Sequence, residues 1–224
     1  MDKTFVVTGA SGWVGKNFLH ELQKIFPSHK FNKKVFAFGS KRSELKSTAY
    51  SQEETIQIPI YPLSSIKEIL KGEKDFYLIH TAFLTREKLD HVGFNNYLKI
   101  NQYITKTVSE AIYFLNIPKS IVISSGAATI FENKKNCKDL LKNDPYGFLK
   151  LEEERIFTNL SNCLVMRIYA LTGSFMRDPS IFALGDFLLS AKKGNSIEIK
   201  SKNHVIRSYG YASDIAKGGI SWLI

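Results

Sequence analysis

Short apolar runs alternate along the chain with longer stretches in which apolar residues recur every third or fourth position. Thr4-Phe5-Val6-Val7-Thr8 is β-branched and aromatic and is closed by Gly9, which predicts a buried strand. Trp13 to Phe26 follows, with Val14, Phe18, Leu22 and Ile25 on one helical face and Pro27 just past the end. Val35-Phe36-Ala37-Phe38, closed by Gly39, predicts a second strand, and Thr55 to Ile60, stopped by Pro59 and Pro62, a third. Ser64 to Leu70 reads as a short helix and Phe76 to His80 as a fourth strand. A long helix is predicted over Phe94 to Leu115, a fifth strand over Ser120 to Ser124, a helix over Pro145 to Leu160 and a sixth strand over Cys163 to Tyr169.

Strands that are apolar nearly throughout, separated by amphipathic helices, need a parallel sheet covered on both faces. Right-handed crossovers then give an α/β, doubly wound parallel sheet of the Rossmann type over residues 1–170. Past Leu171 the pattern changes, and 171–224 reads as the start of a small substrate-binding part mixed with the last elements of the sheet domain. There Ser180 to Lys193 predicts a helix capped by Ser180 and ended by Gly194. Ile197 to Ile199 and Val205 to Tyr209 are strand candidates, and Ser213 to Leu223 is a further helix. The chain stops inside the apolar run Ile220-Ser221-Trp222-Leu223-Ile224, so the C-terminal part is expected to be truncated.

Composition narrows the class. With 224 residues, 44% hydrophobic, 14 Gly and 6 Pro, the chain is neither fibrous nor disordered. Its uncharged stretches fall short of the ~18–20 apolar residues a bilayer span requires, so no membrane association is expected. The start runs directly into the glycine turn without a signal-peptide apolar region. Cys137 and Cys163 have no metal spacing and suggest no disulfide framework, which fits a reducing, cytoplasmic setting. The net charge of +10 is spread over scattered lysines, including Lys30, Lys33 and Lys34, and reads as surface composition rather than a nucleic-acid site.

Thr8-Gly9-Ala10-Ser11-Gly12-Trp13-Val14-Gly15 joins the first strand to the first helix. Gly9 permits the tight turn, Gly12 lets backbone approach a pyrophosphate, and Gly15 lets helix and strand pack closely. The helix N-terminus, with Ser11, Trp13 and Val14 around it, then faces the phosphates. The second strand ends in Phe38-Gly39-Ser40-Lys41-Arg42-Ser43, with no acid before Glu44 to accept from ribose hydroxyls. Ser40 and Arg42 suit a 2′-phosphate instead, so NADP is expected over NAD.

Asp144-Pro145-Tyr146-Gly147-Phe148-Leu149-Lys150 opens the helix after the fifth strand, with Tyr146 and Lys150 one turn apart on one face. An ammonium beside a phenol favours the phenolate and is expected to lower the tyrosine pKa. Glu152-Glu153-Glu154 reads as a solvated helix face, and His80 as a packed histidine.

The glycine turn, Ser124-Ser125-Gly126 ending the fifth strand, and Tyr146 with Lys150 occur in the order of the short-chain dehydrogenase/reductase superfamily. The chain most resembles its extended branch, the NAD(P)-dependent sugar-nucleotide epimerases, dehydratases and reductases. His80-Thr81-Ala82 matches the family's alanine-containing cofactor turn, Asn101 the helix asparagine, and Arg207 to Ala216 the late arginine-to-aspartate motif. The resemblance implies a catalytic set of Ser125, Tyr146 and Lys150. Tyr146 would be the general acid/base and Lys150 would bond the nicotinamide ribose. Ser125 would bond the reacting oxygen, with Ser124 and Thr129 as alternatives for that hydroxyl. It implies cofactor contacts from Thr81, Ala82, Tyr146 and Lys150 and a substrate diphosphate contact from Arg207. Asn101 would hold a helix kink or a relay water, or be structural, and Asp214 would be a structural acid.

Hydride would pass to or from the nicotinamide of a nucleotide-sugar reaction. Relatives pair through the two helices at Phe94 to Leu115 and Pro145 to Leu160, so a homodimer is expected. The chain departs from the family after Ser125. Gly126-Ala127-Ala128-Thr129-Ile130-Phe131 lacks the usual Tyr-Gly pair and the acidic pair of dehydratases. Epimerase or reductase chemistry is therefore favoured, with a non-catalytic dinucleotide-binding protein as the alternative.

Overall fold

A computed structural model describes residues 3–48, 55–132, 141–176, 178–199 and 201–224. Cys137 and the lysines at 134, 135 and 138 lie outside the described residues. The first strand, β1 (Thr4–Thr8), leads through the glycine turn into α1 (Trp13–Ile25). Then follow α2 (Ser28–Lys34), β2 (Val35–Gly39), β3 (Ser43–Thr48), β4 (Thr55–Pro62), α3 (Ile66–Ile69) and β5 (Phe76–His80). After β5 come α4 (Leu89–Val92), α5 (Phe94–Phe114), β6 (Lys119–Ser125), α6 (Pro145–Leu160) and β7 (Asn162–Ile168). The described chain closes with β8 (Ala170–Thr172), α7 (Ala183–Lys192), β9 (Tyr209–Tyr211) and α8 (Ala212–Leu223).

Seven strands form one sheet in the order β3-β4-β2-β1-β5-β6-β7, parallel except for β3, which runs antiparallel to β4. This is the doubly wound architecture expected from the sequence. Successive residues of β1 face opposite layers. Phe5 and Val7 pack with Phe18, Leu22, Ile220 and Leu223 of α1 and α8. Val6 packs with Leu78, Val108, Ile112 and Phe157 on the other face, against α5 and α6. The direction of winding reverses between β1 and β5, where Thr8 pairs with His80. A crevice opens at such a point outside the carboxyl ends of the strands.

Several elements depart from expectation. Ser43–Thr48 forms an edge strand with only Leu45 buried, and a single apolar anchor leaves little sequence pattern. Lys30, Lys33 and Lys34 belong to α2, the latter two in its last turn, where cations complement the helix dipole. Ser180 does not cap α7. It lies in a 3₁₀ turn (Pro179–Ile181) whose capping side chain is Asp178, which accepts from the Ser180 N–H at 3.0 Å. Ile197–Ile199 and Val205–Ser208 form no strand; β9 begins only at Tyr209 and pairs with β8 in a separate two-stranded parallel sheet. No helix among the described residues is long and apolar enough to cross a membrane.

Candidate functional site

The glycine turn is shaped by sterics. Gly9 has φ +69°, and a Cβ there would lie 2.6 Å from the Ala82 backbone nitrogen. A Cβ on Gly15 would lie 2.4 Å from the Gly9 carbonyl oxygen. The N-terminus of α1 is left open: Gly12 is its cap, no side chain caps it, and its first turn carries no acid. The first-turn amides have no intrahelical acceptor and, with the helix dipole, suit an anion. A cavity of about 440 Å³ adjoins them, lined by Gly9, Ser11, Gly12, Ser40, Ala82 and Phe83 among others. A glycine cradle, open amides and an adjoining cavity at the switch point fit a dinucleotide.

The expected cofactor residues divide. Thr81 lies at this cavity and its hydroxyl donates to the Thr8 carbonyl at 2.7 Å. The side chain of Trp13 is turned away, donating Nε1–H to the Ser174 carbonyl at 2.8 Å and packing on Phe182. Only its backbone remains for a phosphate. Val14 lines a second cavity instead. Arg42 is exposed, its guanidinium 5.9 Å from the centre of the Tyr61 ring at the end of β4.

The second cavity, about 460 Å³, lies at the carboxyl ends of β5, β6 and β7. Ser125, Tyr146, Lys150 and Arg207 all line it. Pro145 at the first position of α6 and the Asp144 side chain, which accepts from the Gly147 N–H at 3.2 Å, fix the helix start that presents Tyr146. The three candidate hydroxyls separate. Ser125 faces the Tyr146 phenol. Ser124 donates to the buried carboxylate of Glu154. Thr129 donates to the Gly126 carbonyl at 2.7 Å. Asn101 is buried and grips both the N–H and the carbonyl of Leu84, which secures the loop after β5. Asp214 is exposed and pairs with Lys217 at 3.7 Å.

Lys150 is 4% exposed and its ammonium donates to the Ile123 carbonyl at 2.8 Å and to Glu153 at 2.7 Å. Glu153 is fully buried and also bonds His80 Nε2 at 3.0 Å. Since a carboxylate only accepts, Nε2–H donates to it, while Nδ1 lies 2.6 Å from the Thr8 hydroxyl. The helix face expected to be solvated is thus buried at Glu153 and Glu154. Glu154 is held by Arg167, which donates its Nε–H at 2.9 Å. No periodicity marks these carboxylates as internal, because His80 and Arg167 reach them from strands outside the helix, and the Lys150–Glu153 spacing is the same as that of an exposed i, i+3 pair.

The electrostatics correct a further expectation. The Tyr146 phenol is raised above its ordinary pKa, chiefly by burial, with Ser125 and Arg86 pulling it back. Glu153, which pairs with the Lys150 ammonium, pushes the phenol up as well. The cation over the Tyr146 ring is Arg86, 5.2 Å from its centre and paired with Asp144 at 2.7 Å. Sequence reasoning missed both Arg86 and Glu153; neither falls in a motif.

A doubly wound parallel sheet with a glycine cradle at its switch point is an architecture that dinucleotide-binding α/β proteins use. The model of the NAD dependent epimerase/dehydratase family matches residues 5–223, and the chain belongs to that family. No curated protein matches the sequence. Among solved structures it is similar to a UDP-N-acetylglucosamine 4-epimerase from Methanobrevibacter ruminantium, with TM-score 0.71 and 21% identity, covering 98% of this chain and 72% of that one. It is also similar to a UDP-glucuronic acid 4-epimerase from Bacillus cereus in complex with NAD, with TM-score 0.67 and 20% identity, covering 98% of this chain and 73% of that one. A UDP-glucose 4-epimerase from Thermotoga maritima gives TM-score 0.67 at 16% identity, covering 97% and 72%.

Proposed function

We propose that the chain is an NAD(P)-dependent epimerase or reductase of nucleotide-linked sugars. One observation carries this: Tyr146, Ser125, Lys150 and Arg207 line a single cavity beside the glycine cradle. Similarity to structures of UDP-sugar 4-epimerases supports the substrate class.

In this proposal Gly9, Ser11, Gly12, Thr81 and Ala82 hold the dinucleotide, with Ser40 and Arg42 at a 2′-phosphate, which favours NADP. When bound, the cofactor supplies a two-electron acceptor and donor. Tyr146 takes a proton from, or returns it to, the sugar hydroxyl at the reacting carbon. Ser125 donates to the same oxygen and orients it toward the phenol. Lys150 holds a ribose hydroxyl. Arg207, on the outer wall of the cavity, pairs with the substrate diphosphate.

Incubation of a panel of UDP-sugars with oxidised cofactor, and separately with reduced cofactor, tests the proposal. Interconverted sugars with unchanged cofactor indicate an epimerase, and net oxidation of the cofactor with a keto-sugar a reductase. Absence of any dinucleotide binding in calorimetry would overturn it. A second reading, a non-catalytic dinucleotide-binding protein, is favoured by the engagement of Lys150 with Glu153. Dinucleotide binding with no turnover of any sugar in the panel, in wild type and Tyr146→Phe alike, would select that reading.

A further inference from the structure

Phe83 stands where the two cavities meet. It lines both, as does Thr81, and no other residue among those described does so. A ligand seated on the glycine cradle and reaching Tyr146 therefore runs past Thr81 and Phe83. The ring meets Tyr146 edge-on, with centres 5.7 Å apart and planes at 80°. It also covers Lys150, whose Nζ lies 3.9 Å from the ring centre. An ammonium has three N–H groups. Two are committed to Ile123 and Glu153, and the third side is the one that Phe83 covers.

We propose that Phe83 is a gate between the nucleotide end and the reactive end of the site, and that it sets the preference between ligands ending at the pyrophosphate and whole dinucleotides. The inference rests on the proposed cofactor site. Its backbone does not supply the movement: Thr81 is tied to Thr8 on one side and Leu84 to Asn101 on the other. The side chain does, because an edge contact and a cation–ring contact are weak enough to exchange for a ribose hydroxyl on Lys150. While the ring lies over Lys150 the site accepts the adenosine diphosphate half alone. A whole dinucleotide binds only to the fraction of molecules whose ring has swung out, which weakens its apparent affinity in proportion.

Calorimetric titration of wild type, Phe83→Ala and Phe83→Trp with NADP+, NAD+ and ADP decides the matter. The alanine variant is expected to bind its preferred dinucleotide about tenfold more tightly while ADP stays within about twofold. The tryptophan variant is expected to weaken the dinucleotide and leave ADP alone. Thermal melts of each variant establish folding, and the tryptophan variant decides if the alanine one fails. Dinucleotide affinity unchanged or weakened in Phe83→Ala overturns the gate, as does equal tightening of ADP. Failure of all three ligands to bind any of the proteins overturns the cofactor site itself, and the gate with it.

Discussion

Glu153 holds the Lys150 ammonium at 2.7 Å with neither side chain more than 5% exposed. Burial alone would push the Glu153 carboxyl up, but Lys150 and His80 beside it bring it below its ordinary value of 4.5. A carboxyl depressed on folding adds stability that is fully present above about pH 4.5 and is lost as pH falls through the lower folded value. Urea unfolding of wild type is therefore expected to weaken below that pH. Glu153→Gln should lose this component of the acid dependence and be roughly 3 kcal/mol less stable at pH 7, because it leaves a buried ammonium uncompensated. An identical acid limb in the variant would remove Glu153 from the account.

The pairing of Glu153 with Lys150 leaves Arg86 as the cation over the Tyr146 ring. The phenol faces Ser125, Arg86, Glu153 and Glu87, and stands raised overall because burial outweighs the groups that lower it. Arg86→Gln is expected to move its ionisation to still higher pH, so activity requiring the phenolate rises later on the pH axis. Ultraviolet difference titration, with Tyr146→Phe subtracted, reads this directly. The Tyr146→Phe variant itself should lose roughly 100- to 10,000-fold in turnover while keeping dinucleotide affinity.

The strands, the long helices and the glycine turn were legible because each rests on local pattern: β1 is apolar on both faces and α5 repeats its apolar positions regularly. The hidden part has a different physical origin. β3 is a polar edge with one anchor, Leu45, and β8 is three residues long. Glu153 and Glu154 sit in α6 among other charged residues, and only pairing with Lys150 one turn earlier and with His80 and Arg167 from the sheet makes their burial tolerable. The same reason hid the raised Tyr146 pKa. Sequence spacing places a lysine near the phenol, but whether its charge is felt depends on what else the ammonium touches.

The glycines separate into those with no room for a side chain and those with ample room. Gly15→Ala would press a methyl group against the Gly9 carbonyl, where backbone on both sides must shift. A loss of about 1–3 kcal/mol in stability is expected, together with weakened dinucleotide binding. Gly218, inside α8, has nothing within 4 Å of the place a methyl group would take and no positive φ. Gly218→Ala should stabilise the fold by about 0.5–1 kcal/mol without touching binding. Thermal or urea melts with parallel calorimetry check both, and equal effects at the two positions would contradict the steric distinction.

The choice between phosphorylated and plain cofactor turns on the end of β2. The first acid after that strand, Glu44, is bonded to Gln57 at 2.6 Å across the β3–β4 pair and is committed to that edge of the sheet. Ser40 lines the nucleotide cavity, and Arg42 sits over Tyr61 with its charge exposed to an arriving anion. A guanidinium there favours a 2′-phosphate, by an attraction that salt screens because the site is open. Arg42→Ala is expected to weaken NADP+ roughly tenfold and leave NAD+ within about twofold. The wild-type advantage for NADP+ should shrink as salt is raised. Equal affinities for the two cofactors in wild type, unchanged by the substitution, would assign the site to NAD instead.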